Sequence, residues 1–233
     1  MFQVKICGIT SLEDAQAVVE SGADAVGLNF YAHSPRFVEP ETAAEILKTL
    51  PDGLTKVGLF VDTPAQEICR IFDELSLDLI QLHGDQPPEF LVDLGNRPIM
   101  RAFRVGPDAL EPVIDYLVLC QDLGVTLQMV LLDAFVPGEY GGTGKVADWE
   151  IAKRYASFTN APPLVLAGGL TPSNVAMAIQ TVAPAAVDTA SGVESQPGRK
   201  NAAAVKAFVA AARAAFNVLS APTEKEGPPS ARS

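Results

Sequence analysis

Residues 163–169 read Pro-Leu-Val-Leu-Ala-Gly-Gly, and residues 185–194 read Ala-Ala-Val-Asp-Thr-Ala-Ser-Gly-Val-Glu. In each stretch a short apolar run ends in small residues whose backbone N–H groups no side chain screens. Glycine at a strand-to-helix junction lets the backbone approach a ligand, and amides at the following helix start bind an anion without a cation. Two consecutive junctions of this kind, late in a chain of 233 residues, fit the phosphate site of a (β/α)8 TIM barrel, formed after strands seven and eight. The expected ligand is a phosphorylated small molecule held by the amides of Gly168, Gly169, Ser191 and Gly192.

Working outward from these junctions, strand patterns fall near Val4–Ile9, Ala25–Phe30, Thr55–Val61, Leu79–His83, Ile99–Val105, Met129–Ala134, Pro163–Ala167 and Ala185–Thr189. Several are continuous apolar runs, as parallel strands covered by helices require. Helical patterns lie between them. One opens at Thr10-Ser11-Leu12-Glu13-Asp14 with a hydroxyl cap and acidic first-turn residues and ends near Gly22. Others open at Pro40-Glu41, Thr63-Pro64, Pro87-Pro88-Glu89 and Thr171-Pro172-Ser173-Asn174, where proline's fixed φ suits a helix start. The last runs from Ala202 to about Phe216. Eight alternations without a composition break predict one barrel domain over residues 1–218, although an open doubly wound sheet shares the same local grammar. Residues 219–233 carry no apolar periodicity and are expected to be a disordered tail.

The formal net charge of −11 argues against nucleic acid or an anionic membrane as partner, since both need clustered Lys and Arg. A phosphate must therefore rely on oriented amides and a few local cations. Three cysteines, Cys7, Cys69 and Cys120, lack metal-type spacing and point to a reducing cytoplasmic compartment. The start, Met1-Phe2-Gln3-Val4-Lys5, reads directly as a strand with no secretory h-region, and no apolar run reaches membrane-spanning length. Monomer and homodimer are both open.

The strand ends form an ordered series: Lys5-Ile6-Cys7-Gly8-Ile9-Thr10, Gly27-Leu28-Asn29-Phe30, Ser34-Pro35-Arg36, Val57-Gly58-Leu59-Phe60, Gln81-Leu82-His83-Gly84-Asp85, Leu131-Leu132-Asp133, Gly141-Gly142-Thr143-Gly144-Lys145 and the two glycine-rich junctions. Over roughly residues 3 to 215 this series closely resembles the phosphoribosylanthranilate isomerases of tryptophan biosynthesis. The resemblance implies Cys7 as general base, Asp133 as general acid and Arg36 as a substrate-binding residue. It implies an Amadori rearrangement of an aminoaldose to an aminoketose, with no metal and no organic cofactor. One departure is Ala190, where many relatives carry a polar or hydroxyl side chain.

Each residue also has a plainer reading. A cysteine in an apolar strand is usually a small core hydrophobe, and that reading is kept for Cys69 and Cys120. Lys5 shares the inward side of its strand with Cys7; it either holds Cys7 as thiolate or neutralises buried carboxylates. Asp133 competes with a helix N-cap role. Arg36 offers a carboxylate or anion a fork that lysine lacks. His83 is a candidate substrate ligand, or a core histidine bonded to backbone. Asp188 either touches substrate or supports the site from behind. The Gly141–Lys145 segment lacks P-loop spacing and suits a loop covering the substrate. Two other functions stay open: the related isomerase of histidine biosynthesis, which pairs two aspartates where this chain has Cys7 and Asp133, and a non-catalytic sugar-phosphate-binding barrel.

Overall fold

A computed structural model describes residues 1–105, 110–133, 149–158 and 160–220. Eight parallel strands close into one barrel in chain order, with β8 pairing back onto β1. They are β1 (Val4–Cys7), β2 (Ala25–Asn29), β3 (Thr55–Phe60), β4 (Leu79–Leu82), β5 (Ile99–Arg104), β6 (Met129–Asp133), β7 (Leu164–Ala167) and β8 (Ala186–Thr189). The helices between them are α1 (Leu12–Ser21), α2 (Pro40–Lys48), α3 (Ala65–Glu74), α4 (Leu110–Asp122), α5 (Trp149–Ala156) and α6 (Val175–Val182); α7 (Ala202–Ser220) follows β8. The connection after β4, where Pro87-Pro88-Glu89 suggests an α-helix, is instead a 3-10 helix over Pro88–Leu94.

Continuous apolar strands make two cores here, because side chains alternate between the faces of each strand. The outward set, including Val4, Ile6, Val26, Leu28, Ile80, Leu82, Val130 and Leu132, packs under the helices. The inward set, Phe2, Ala25, Val57, Leu79, Met100, Ala102, Met129, Leu131, Val165, Ala167 and Ala186, fills the barrel. Phe2 belongs to that inner set, so the barrel is a packed interior and not a pore. Continuing the inward alternation toward the C-terminal strand ends gives a mixed polar row: Cys7, Asn29, Val61, His83, Arg104, Asp133, Gly169 and Ala190. Below it lie Lys5, Gln81 and Asp188, all buried.

The last helix is longer than its sequence suggests. It continues to Ser220, so residues 219–220 of the expected tail are helical, while 221–233 lie outside the described residues. Among those residues α7 is the one helix long and apolar enough to span a membrane. Its stripe of Val205, Phe208, Val209, Ala212, Ala215 and Phe216 is buried, and the helix packs on α1 and α6, which accounts for that composition. A two-stranded hairpin, β9 (Glu194–Gln196) with β10 (Arg199–Lys200), precedes it.

Candidate active site

The C-terminal strand ends enclose a pocket of about 370 Å³, lined among others by Cys7, Asn29, Arg36, Gln81, His83, Arg104, Asp133, Gly168, Gly169, Asp188, Ala190 and Ser191. That size suits a small ligand. A larger hollow of about 460 Å³ opens at the other end of the barrel among strand starts. Its Asp78 carboxylate is occupied by the Lys56 amide at 2.8 Å, and the face it occupies is the one that ordinarily carries stability in this fold. The cysteine, histidine and carboxylates singled out in the sequence gather at the C-terminal face.

Space for the thiol comes from β2. A Cβ on Gly27 would stand 2.6 Å from the Cys7 Sγ and 3.1 Å from the Lys5 Nζ. Lys5 is fully buried and donates to Asp188 Oδ2 at 3.0 Å. Burial works against its ammonium, but Asp188 and Cys7 outweigh that and leave its pKa above the ordinary lysine value. Lys5 therefore pairs with a buried carboxylate and also bears on the thiol. It does not win for the thiol: burial pushes Cys7 up, Lys5 opposes it, Asp188 reinforces it, and the net shift is upward. Asp188 is likewise raised, first by burial and against the pull of Lys5. Its second oxygen, Oδ1, is buried with no hydrogen-bond partner among the described residues.

His83 does not sit in the core bonded to backbone. Its ring lies in the pocket with Nε2 3.6 Å from Asp133 Oδ2, beyond hydrogen-bonding distance, and that nitrogen has no partner among the described residues. Asp133 ends β6 and lines the pocket, and residues 134–148 after it lie outside the described residues. The fork expected of Arg36 is already engaged. Its Nε and Nη2 donate to Glu194 Oε1 and Oε2, both at 2.7 Å, which raises the guanidinium pKa further. A ligand meets only its remaining donors. The Arg36 loop is set by Asn29, which donates to Ser34 Oγ at 3.0 Å while Ser34 Oγ accepts the Arg36 amide at 3.1 Å.

The two glycine-rich junctions meet as expected but for unequal reasons. Gly168 and Gly169 have φ of +90° and +63°, the left-handed region that favours glycine. Asn174 fixes this turn, donating to the Gly169 carbonyl at 3.0 Å and accepting the Thr171 amide at 2.8 Å. Gly192 needs no unusual φ and does not itself line the pocket. A Cβ there would overlap the Leu170 carbonyl, which also accepts from Thr189 Oγ1 at 2.7 Å. Gly192 thus lets the β7 and β8 loops lie against each other, and Ser191 beside it lines the pocket.

Cys120 is buried as expected, but Cys69 on α3 is only half-buried. The Gly141–Lys145 segment lies outside the described residues. Asn29, Gln81 and Arg104 line the pocket without having been singled out; continuing the inward alternation from Ala25, Leu79 and Ala102 would have found all three. Glu194 and Lys200, on the hairpin after β8, carried no such signal.

Fold and pocket together define a (β/α)8 barrel whose ionisable side chains and glycine-rich loops share one pocket at the C-terminal strand ends. The chain belongs to the N-(5'-phosphoribosyl)anthranilate isomerase family, whose pattern it matches over residues 4–211. The N-(5'-phosphoribosyl)anthranilate isomerase of Geobacter sulfurreducens is 49% identical over 214 residues, covering 91% of this chain and 99% of that one. The crystal structure of the Thermotoga maritima phosphoribosyl anthranilate isomerase superposes with a TM-score of 0.80 at 39% identity, covering 92% of this chain and all of that one (100%). A second isomerase structure, in complex with reduced 1-(o-carboxyphenylamino)-1-deoxyribulose 5-phosphate, gives a TM-score of 0.76 at 36% identity over 92% of this chain and 100% of that one.

Proposed function

We propose that this pocket converts N-(5'-phosphoribosyl)anthranilate to 1-(2-carboxyphenylamino)-1-deoxyribulose 5-phosphate, with Asp133 as general acid and Cys7 as general base. One observation carries the assignment. Asp133 and Cys7 face one pocket from β6 and β1, and the amide-lined junctions of β7 and β8 lie between them on the rim. A sugar phosphate anchored at those junctions extends its ring between an acid on one side and a base on the other.

Asp133 gives its proton to the ribose ring oxygen. The C1'–O bond breaks, and the anthranilate nitrogen lone pair forms the C1'=N iminium. The Cys7 thiolate removes the proton on C2'; that electron pair forms C1'=C2', and the iminium π pair returns to nitrogen. The resulting enolamine tautomerises to the ketone. Nitrogen is the electron sink, so the step needs neither metal nor organic cofactor. Burial of Cys7 makes its thiolate scarcer and more basic. Lys5 neutralises Asp188 beneath the thiol, and Asp188 Oδ1 and His83 Nε2 offer hydrogen-bonding capacity to the substrate's hydroxyl groups. The free donors of Arg36 bind the anthranilate carboxylate. A reducing cytoplasm suits both the metabolite and the free thiols.

Replacing Cys7 by Ala tests this reading. Turnover, followed as loss of substrate fluorescence, should fall by about two to four orders of magnitude while substrate still binds. Near wild-type kcat in that variant would remove Cys7 from the mechanism.

A further inference from the structure

Among the described residues the Cys7–Asp133 mechanism leaves two buried cations unused, Arg101 and Lys200, and of these it is Lys200 that bonds to a pocket-lining residue. Lys200 sits on β10 with a fully buried side chain, donating to Glu194 Oε1 at 2.9 Å and to the Ala190 carbonyl at 3.2 Å. A buried ammonium needs both partners. Burial depresses its pKa and Glu194 opposes that.

The bond to Ala190 has a consequence one atom further along the chain. In a trans peptide the carbonyl of one residue and the N–H of the next point in opposite directions, and every described peptide here is trans. With the Ala190 oxygen drawn toward Lys200, the Ser191 N–H is sent to the opposite side. Ala190 and Ser191 line the pocket, whereas Lys200 does not. The Ser191 amide is thereby aimed into the pocket. The cation also lies behind the same peptide, in a protein whose net charge of −11 otherwise repels anions.

We infer that Lys200 is a positioning residue for the phosphoryl group: it fixes the Ala190–Ser191 peptide so that the Ser191 amide points at the anion. Glu194 anchors it and takes Arg36 on the same carboxylate, so one buried acid sets both the phosphate cup and the substrate-binding arginine. Lys200 is held in place by the hairpin, through its own amide on Asp14 Oδ1 at 3.0 Å and through the Gly198 carbonyl, which accepts from Thr10 Oγ1 at 2.7 Å.

The inference rests on reading the β7–β8 junctions as the phosphate site, and one experiment separates the two. Inorganic phosphate is used as competitor against the wild type, Lys200→Met and Lys200→Arg. Lys200→Met keeps the side-chain bulk without the donors. Its KM and the inhibition constant for phosphate should each rise about tenfold, the worth of one charge-assisted bond, with kcat changed by no more than a few-fold. Lys200→Arg, which keeps charge and donors, should recover phosphate affinity. An unchanged phosphate inhibition constant in Lys200→Met overturns the inference alone. So does a fall in kcat with KM and phosphate inhibition untouched. Failure of phosphate to compete in the wild type removes the phosphate site and the inference with it. Should Lys200→Met not fold, phosphate titration of the ¹⁵N-labelled wild type decides. A Ser191 amide resonance that stays still while those of Gly168 and Gly169 move overturns the inference.

Discussion

Replacing Gly27 by Ala puts the thiol's placement to a direct test. The new Cβ would stand 2.6 Å from Cys7 Sγ, 0.8 Å short of the 3.4 Å at which ordinary contact begins. The backbone cannot yield easily, because β2 is bonded to β1 on one side and β3 on the other, and the Gly27 carbonyl accepts the Gly8 amide at 2.8 Å. The thiol must therefore move by most of an ångström. A misplacement near 1 Å at a reacting group costs about 100-fold in rate, while overpacking costs about 1–3 kcal/mol of stability. Gly58→Ala is the control. Its Cβ would meet Leu77 Cδ1 at 2.6 Å and Phe60 Cε2 at 2.9 Å, in the layer outside the barrel. It should lose comparable stability and keep its kcat. Steady-state turnover by substrate fluorescence, paired with chemical denaturation of both variants, makes the comparison. A folded Gly27→Ala enzyme with kcat within a few-fold of wild type would falsify the placement of Cys7 at the reacting carbon.

Asp133→Asn keeps the shape of the acid but removes its proton, so kcat should drop by about 10²–10⁴ with little change in the melting temperature; a surviving kcat would assign the donor elsewhere. The pH profile follows from the buried thiol. Cys7 works as thiolate and its pKa lies above the ordinary thiol value, so its rate of alkylation by iodoacetamide, resolved from Cys69 and Cys120 by peptide mass spectrometry, should climb about tenfold per pH unit from neutrality toward pH 9. A plateau already reached at neutrality contradicts this. The same shift means the folded state holds the Cys7 proton more tightly than the unfolded chain does. That stabilisation is present below the unfolded thiol's pKa and is lost as pH rises through the folded value. Gly192→Ala should raise KM and weaken phosphate inhibition more than Gly169→Ala. The former forces the Leu170 carbonyl away, whereas the latter meets open space and pays only about 1 kcal/mol for its φ. The reverse ranking would mean that the loop packing is not what shapes the cup.

Strand positions, the parallel barrel and the shared face of Lys5 and Cys7 were all legible in the sequence. Each rests on local rules: continuous apolar runs, period-two alternation and glycine at turns depend only on neighbouring residues. The strand-end motifs in their order were enough to indicate the family and to single out Cys7 and Asp133 as the acid–base candidates. The sequence could not say what each polar group faces, because those partners lie far apart along the chain. Arg36 is engaged by Glu194, 158 residues away, and Lys5 by Asp188, 183 residues away. The net direction of the Cys7 shift is a balance of burial and Asp188 against Lys5 and Lys200, and both Asp188 and Lys200 come from the far end of the chain. Gly192 looked like a backbone-freedom glycine and proved to be a packing glycine, since its neighbour is a carbonyl from the preceding loop. Closure of the barrel decides these matters: it brings β8 beside β1, and only then do the hairpin after β8, the loop after β2 and the first strand share one buried network.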